Sequence, residues 1–297
     1  SLARTLGVSP LIIGLIVVGW ATSAPEMLVS AIAAMEGNTN LAVGNAIGSN
    51  ITNIGLILGM TAMMLPLAVH SDLIRREFPI LMAIMALVIL LFLDGQFERI
   101  DGILLLGGLL CFLWWMIHLA QQQRMQKDPM TEEVTDELPQ SLPLNKSILW
   151  LVIGLTGLLI GARLVVWGSV AIAQALGVSD LIIGLTIVAI GTSLPELAAT
   201  VMSARKGEDD LAIGNIIGSN IFNLLAVLGI PAVIAPAALD VEVMTRDIPV
   251  MLLLTVLLYF MAKGQRGTGG KIGRVAGGSL LAIFLGYLGT IYYMASA

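Results

Sequence analysis

Two glutamates stand inside otherwise apolar sequence: Glu26 in Thr22-Ser23-Ala24-Pro25-Glu26, and Glu196 in Thr192-Ser193-Leu194-Pro195-Glu196. An ionised carboxylate at such a depth costs on the order of several kcal/mol unless it is partnered or protonated. Its neighbours are of the types that partner a cation. Thr22 and Ser23 precede Glu26 by four and three residues, which on a helix puts all three on one face. Pro25 has no N–H for the carbonyl of Ala21, and Pro195 has none for that of Gly191. Each helix is therefore expected to break there and expose backbone oxygens. Carboxylate, hydroxyl and carbonyl oxygens are what hard cations such as Na⁺ and Ca²⁺ take as ligands. The plainer alternative is a protonated core glutamate with hydroxyls bonded back to their own helix. Two such glutamates at matched positions weigh against it.

The match is an internal repeat. Residues 7–59 return as residues 177–229 at a constant offset of 170, with 27 of 53 positions identical. Asn45, Ser49 and Asn53, spaced by four, return as Asn215, Ser219 and Asn223. A polar stripe on each of these helices is expected to face its own glutamate. Asn50 and Asn220 fall off that stripe and are expected to hold the broken helices in place rather than bind an ion. Gly44, Gly48, Gly214 and Gly218 allow close helix approach.

The elements that must position these groups are membrane helices. The 297 residues are 57% hydrophobic and 12% charged, against about 25% charged in an ordinary soluble domain. Mean hydropathy is +0.94. Continuous apolar runs, rather than alternating ones, are long enough to cross roughly 30 Å of hydrocarbon as helices. Spans are expected at 11–35, 41–65, 78–93, 103–120, 148–176, 181–204, 211–239, 248–262 and 275–294. The second repeat copy is preceded by the span 148–176 and the first by only six residues. Symmetry therefore implies a tenth, first helix that this chain lacks. The expected organisation is an N-terminal half (1–120), a hydrophilic linker (121–146) and a C-terminal half (147–297). Five crossings separate equivalent points of the two copies, and five is odd, so the halves have inverted topology, a signature of secondary transporters. Twelve Lys and Arg residues fall on one side, and only Arg99 and Arg246 on the other. The positive-inside bias makes the linker cytoplasmic. Arg163 lies within a span, Cys111 has no partner for an internal disulfide, and His70 and His118 sit near membrane boundaries. No phosphate loop, nucleophile–base set or Cys/His metal spacing appears. No enzymatic activity, cofactor or nucleic-acid partner is expected.

At the quoted motifs the chain resembles the cation/Ca²⁺ exchanger superfamily, in particular its prokaryotic sodium/calcium exchanger branch. The resemblance covers both repeats and implies an all-α polytopic protein of two inverted halves of five transmembrane helices, monomeric, in a prokaryotic plasma membrane. It implies that Thr22, Ser23, Thr192, Ser193, Ser49 and Ser219 are cation ligands beside Glu26 and Glu196, that Gly19 and Ala189 offer backbone carbonyls, and that Asn53 and Asn223 line a central site. The implied activity is Na⁺/Ca²⁺ antiport, with Ca²⁺ and Na⁺ as cargo and the lipid bilayer as surroundings. Two alternatives are Ca²⁺/H⁺ antiport on the same scaffold and a passive cation channel. The proton-coupled branch typically has an acidic residue where this chain has Ser49 and Ser219 in Gly-Ser-Asn. Some members carry Asp at the position of Asn223, and the usual Gly before Thr-Ser is here Ala21, beside Trp20.

Overall fold

The computed structural model describes residues 19–69, 71–125, 177–263 and 270–296, with isolated helical positions between 146 and 175. In chain order the helices are α1 (Gly19–Thr22), α2 (Ala24–Met35), α3 (Thr39–Met64), α4 (Ser71–Leu91), α5 (Arg99–Met125), α6 (Asp180–Thr192), α7 (Leu194–Arg205), α8 (Asp209–Ile234), α9 (Val243–Ala262) and α10 (Arg274–Ser296). Four short strands join them: β1 (Leu67–Val69), β2 (Gln96–Phe97), β3 (Ala237–Ala238) and β4 (Gly270–Ile272).

Among the described residues five helices are long and apolar enough to cross a membrane: α3, α5, α8, α9 and α10. The pair α6 and α7, bent by 42° at Ser193, makes a sixth. The protein is a multi-pass membrane protein. The expected span at 11–35 is described only from Gly19 onward, and the one at 148–176 lies largely outside the described residues, as do Arg163 and most of the linker. Two boundaries differ from expectation. The third span begins at Ser71 rather than Phe78, because its first two turns are charged, and the fourth runs on to Met125, into the expected linker.

The strands are the element that hydropathy did not reveal. β1 pairs antiparallel with β4 (Leu67↔Ile272, Val69↔Gly270), and β2 pairs with β3 (Gln96↔Ala238, Phe97↔Ala237). These ribbons define the two faces of the molecule. On the β1–β4 face, Asp209 Oδ2 accepts the Ala68 N–H at 2.8 Å. On the β2–β3 face, Asn40 Nδ2 donates to Asp240 Oδ1 at 3.2 Å, and Thr39 Oγ1 donates to the Ala235 carbonyl at 2.7 Å. The start of α3 thus lies on one face, and the start of α8, its repeat counterpart, on the other. The halves are inverted, as the odd number of crossings required.

Local chemistry repeats with the fold. Gly37 (φ 79°) and Gly207 (φ 76°) end α2 and α7 in the left-handed conformation that glycine adopts without strain. Asn38 N–H then reaches the Ala33 carbonyl at 2.8 Å and Glu208 N–H the Ser203 carbonyl at 3.0 Å, closing both helix ends alike.

Between the halves, α3 and α6 meet almost backbone to backbone. A Cβ on Gly44 would lie 2.6 Å from the Leu181 carbonyl oxygen, and one on Gly48 would lie 2.6 Å from that of Leu185. In lipid, association rests on such close packing rather than on hydrophobicity. At the far end of each half, Gly277 of α10 presses on the Gly59 carbonyl of α3, and Gly102 of α5 presses on the Gly229 carbonyl of α8. The last helix of each half therefore packs on the other half.

Buried carboxylates also occur outside the apolar runs that hold Glu26 and Glu196. Glu77, Asp101 and Asp247 are buried as well. Glu77 and Asp247 are 170 residues apart, so the repeat continues as Arg76-Glu77-Phe78-Pro79 and Arg246-Asp247-Ile248-Pro249. Arg246 holds Asp247 through Nε–Oδ1 at 2.6 Å and Nη2–Oδ2 at 3.2 Å, and Tyr287 OH of α10 donates to Oδ1 at 2.9 Å. These acids sit at helix starts beside other charges, where a hydropathy average reads them as loop.

Two substitutions test the packing. Gly44→Val drives a branched side chain into the α6 backbone and is expected to cost about 1–3 kcal/mol or more, seen as a lower unfolding midpoint in detergent. Gly107→Ala, on α5 with nothing within 4 Å of the new methyl, is expected to leave the midpoint unchanged or slightly raised.

Candidate cation-binding site

Both broken helices place a glutamate at the start of their second segment. Ser23 (φ −81°, ψ 0°) interrupts α1 and α2, and Ser193 (φ −85°, ψ 7°) interrupts α6 and α7, with Pro25 and Pro195 in the first turn that follows. Each proline prevents the continuous i→i−4 ladder, and the chain changes direction at the serine. Glu26 and Glu196 then lie in the middle of the protein with no exposed surface at all.

The break also decides which hydroxyl meets which acid. Helical spacing placed Ser23 beside Glu26, but Ser23 Oγ instead donates to Glu196 Oε1 at 3.5 Å, and Ser193 Oγ donates to Glu26 Oε1 at 3.3 Å. Each carboxylate is served by the other repeat. Glu26 Oε2 and Glu196 Oε2 are buried and have no hydrogen-bond partner.

The threonines face two ways. Thr22 Oγ1 donates to the Gly19 carbonyl at 3.2 Å and lies 3.3 Å from Ser219 Oγ. Thr192 Oγ1 donates to the Val188 carbonyl at 2.9 Å and to Asn45 Oδ1 at 3.2 Å. The plainer alternative, hydroxyls bonded back onto their own helix, is thus present together with contact across the repeats. The Gly19 carbonyl already accepts Ser23 N–H at 3.0 Å, and the Ala189 carbonyl accepts Ser193 N–H at 3.1 Å. The carbonyls that a proline frees are those of Ala21 and Gly191, four residues before Pro25 and Pro195.

The asparagine stripes split in role. Asn45 Nδ2 donates to Ser30 Oγ at 3.0 Å and to the Glu26 backbone carbonyl at 3.2 Å, and Asn215 Nδ2 donates to Thr200 Oγ1 at 3.2 Å. These two tether α3 to α2 and α8 to α7 rather than facing a carboxylate. Ser30 and Thr200 went unnoticed in the sequence, although they are matching hydroxyls four residues after each glutamate. Further along, Asn53 Nδ2 donates to Asn220 Oδ1 at 3.0 Å. Asn220 therefore faces the other half, not its own broken helix, and Asn50, expected to brace one, has no protein partner at either side-chain atom.

Asn53 and Asn223 each open a π-turn, Asn53–Leu58 in α3 and Asn223–Val227 in α8. A third π-turn, Gly184–Val188 in α6, runs up to Ala189. Such single wide turns rotate the following residues out of the α register and gather at functional sites. The 3.6-residue period offered no signal for them. Among side-chain atoms that are buried and unpartnered are Ser49 Oγ, Asn53 Oδ1 and both amide atoms of Asn223, alongside the two Oε2 atoms. Buried polar atoms ordinarily find partners, and the orphaned oxygens in this set are of the kind that hard cations take as ligands. On the face of the β2–β3 ribbon, two adjoining depressions of about 500 and 430 Å³ share Ser179, Leu181 and Asp240 and carry Glu36, Asp180 and Glu242 on their walls. Arg246 also lines the second but is paired with Asp247, so the balance of these walls is acidic and favours cations there.

Residues 1–118 and 146–293 match the family described as sodium/calcium exchanger protein. CaxA of Alkalimonas amylolytica is 50% identical over 287 residues, spanning 97% of this chain and 89% of its own. The inner membrane protein YrbG of Escherichia coli (strain K12) is 42% identical over 295 residues, spanning 99% of this chain and 90% of its own. Among solved structures, the sodium-calcium exchanger NCX_Mj soaked with 2.5 mM Na⁺ and 0.1 mM Ca²⁺ is similar at a TM-score of 0.76 and 33% identity, over 97% of this chain and 89% of that one. With inverted repeats that each contribute one buried glutamate to a common centre, the chain belongs to the sodium/calcium exchanger protein family, transporters of Ca²⁺ and Na⁺ rather than enzymes.

Proposed function

We propose that this chain exchanges Na⁺ for Ca²⁺ by alternating access, at a site made of Glu26, Glu196, Thr22, Ser23, Thr192, Ser193, Ser49, Ser219, Asn53 and Asn223. The carbonyls of Gly19 and Ala189 complete it as the broken helices adjust. The observation that carries this reading is the state of the two carboxylates: fully buried, each with one oxygen on a serine of the opposite repeat and the other oxygen unpartnered. Together they carry two negative charges. One Ca²⁺ neutralises both, and Na⁺ ions use the same oxygens, so the two cargoes exclude each other at full occupancy. Competition for shared ligands couples the fluxes.

Access alternates as the inverted halves move about this centre. Ser23 and Ser193, where the helices break, are the natural points of flexure, and the acid-lined depressions mark one mouth. Lys and Arg placement supports a cytoplasmic β1–β4 face and 121–146 linker, and the likeness to a bacterial inner membrane protein supports a prokaryotic plasma-membrane location. Inward Na⁺ movement then expels Ca²⁺. Both glutamates and their serines come from one polypeptide, so a monomer suffices for the site.

Reconstituted, Na⁺-loaded proteoliposomes are expected to take up Ca²⁺ at a rate set by the outward Na⁺ gradient. Glu26→Gln or Glu196→Gln removes one of the two charges that balance Ca²⁺. Losing one partner of a buried pair costs about 3 kcal/mol or more, hence on the order of a hundredfold in uptake. Uptake that ignores the Na⁺ gradient but follows a pH gradient would replace this reading with proton coupling. Uptake that survives both substitutions would remove it.

A binding measurement separates the site from the transport cycle. Ca²⁺ at about 100 times its Kd is expected to stabilise the purified protein by about 2.7 kcal/mol, read as a raised unfolding midpoint. In Glu196→Gln that shift is expected to vanish while the ion-free midpoint holds.

A further inference from the structure

The repeat relation that carries residue n to n+170 holds for the serine–glutamate bonds and fails for several of the amides and hydroxyls around them, most completely at one asparagine pair. Under it, Asn53 corresponds to Asn223 and Asn50 to Asn220. Asn50 therefore stands to Asn223 as Asn220 stands to Asn53. The second pair is closed by a hydrogen bond, Asn53 Nδ2 to Asn220 Oδ1 at 3.0 Å. The first is not. All four side-chain polar atoms of Asn50 and Asn223 are buried without a hydrogen-bond partner, on residues that are 1% and 0% exposed. The π-turn that opens at Asn223 packs against the part of α3 that ends at Thr52, so the two amides share one region.

The asymmetry has local causes. Thr52 precedes Asn53, whereas Phe222 precedes Asn223. Phe222 packs on Phe112 of α5 with ring centroids 6.1 Å apart, anchoring the start of its π-turn in the buried core. The two π-turns also differ in length, six residues from Asn53 and five from Asn223. Two buried amides on elements packed against one another, each left without a partner, cost stability unless a guest satisfies them.

Resting on the exchange reading above, we propose that Asn50 is a further, Na⁺-selecting residue of the site, which together with Asn223 offers two neutral carbonyl oxygens to a monovalent cation. Neutral amides balance no charge. In a low-dielectric interior a divalent ion is drawn to the carboxylates, which can neutralise it, while a single charge is tolerated among carbonyl dipoles. In the other arm the Asn53–Asn220 bond occupies the Asn220 carbonyl oxygen and leaves only Asn53 Oδ1 free, so the structure assigns the two-carbonyl role to one arm only.

The test uses the purified full chain and the half-maximal Na⁺ and Ca²⁺ concentrations for thermal stabilisation. Asn50→Leu keeps the side-chain shape and removes the carbonyl. It is expected to raise the half-maximal Na⁺ about tenfold, leave the half-maximal Ca²⁺ within about twofold, and leave the ion-free midpoint unchanged or higher. Asn220→Leu strands Asn53 Nδ2 and is expected to lower the ion-free midpoint instead. An unmoved Na⁺ half-point in Asn50→Leu, or equal losses for Na⁺ and Ca²⁺, would overturn the assignment while the exchange site stands. A wild-type protein stabilised by neither ion would overturn both.

Discussion

Each buried glutamate is held by the serine of the opposite repeat, and the rest of the molecule follows from the need to make that exchange. Ser23 reaches Glu196 and Ser193 reaches Glu26 across the interface between the halves. A carboxylate without exposed surface is tolerable only with charge or hydrogen bonds around it. Neither half supplies those by itself. The two copies must therefore meet head to head with their helices broken at the serines, and inverted topology is the arrangement that lets identical breaks face one another.

Bringing them together requires backbone contact deep in the protein. Gly44 and Gly48 let α3 reach the carbonyls of Leu181 and Leu185 on α6. The same α3 carries Ser49, Asn50 and Asn53, so the glycine contacts set the depth at which those side chains sit. The terminal helices lock the arrangement from outside, α10 against α3 and α5 against α8, each bonded in turn by a short cross-half ribbon. The π-turns do what a regular helix cannot: opening at Asn53 and Asn223, they rotate the residues that follow out of the α register. Stability and function are in tension here, because the orphaned oxygens that suit a cation are a cost to the empty fold.

Much of this was legible in the chain. The two Glu-containing motifs, the 170-residue offset and the odd number of crossings were enough for the family, the inverted halves and the central glutamates. Helical spacing failed at the break itself, where it assigned Ser23 to the wrong acid, since a proline-interrupted segment no longer follows a 3.6-residue face. It also assigned Asn45 to a carboxylate that it does not touch, and set Asn50 and Asn220 aside. Short ribbons such as β1–β4 depend on residues about 200 apart in sequence, beyond any local pattern. Asp247 falls one residue outside the expected span at 248–262, and its contact with Tyr287 of another helix has no local signal. Ser30 and Thr200 were readable from the repeat alone, had matched hydroxyls been sought beyond the motif.

The central claim is that Ca²⁺ and Na⁺ compete for one pair of carboxylates. Equilibrium Ca²⁺ binding to the purified protein across a series of Na⁺ concentrations tests it most directly. The account predicts that the apparent Kd for Ca²⁺ rises steadily with Na⁺ while the binding capacity stays constant. A Kd indifferent to Na⁺ would place the two ions on separate oxygens and contradict it.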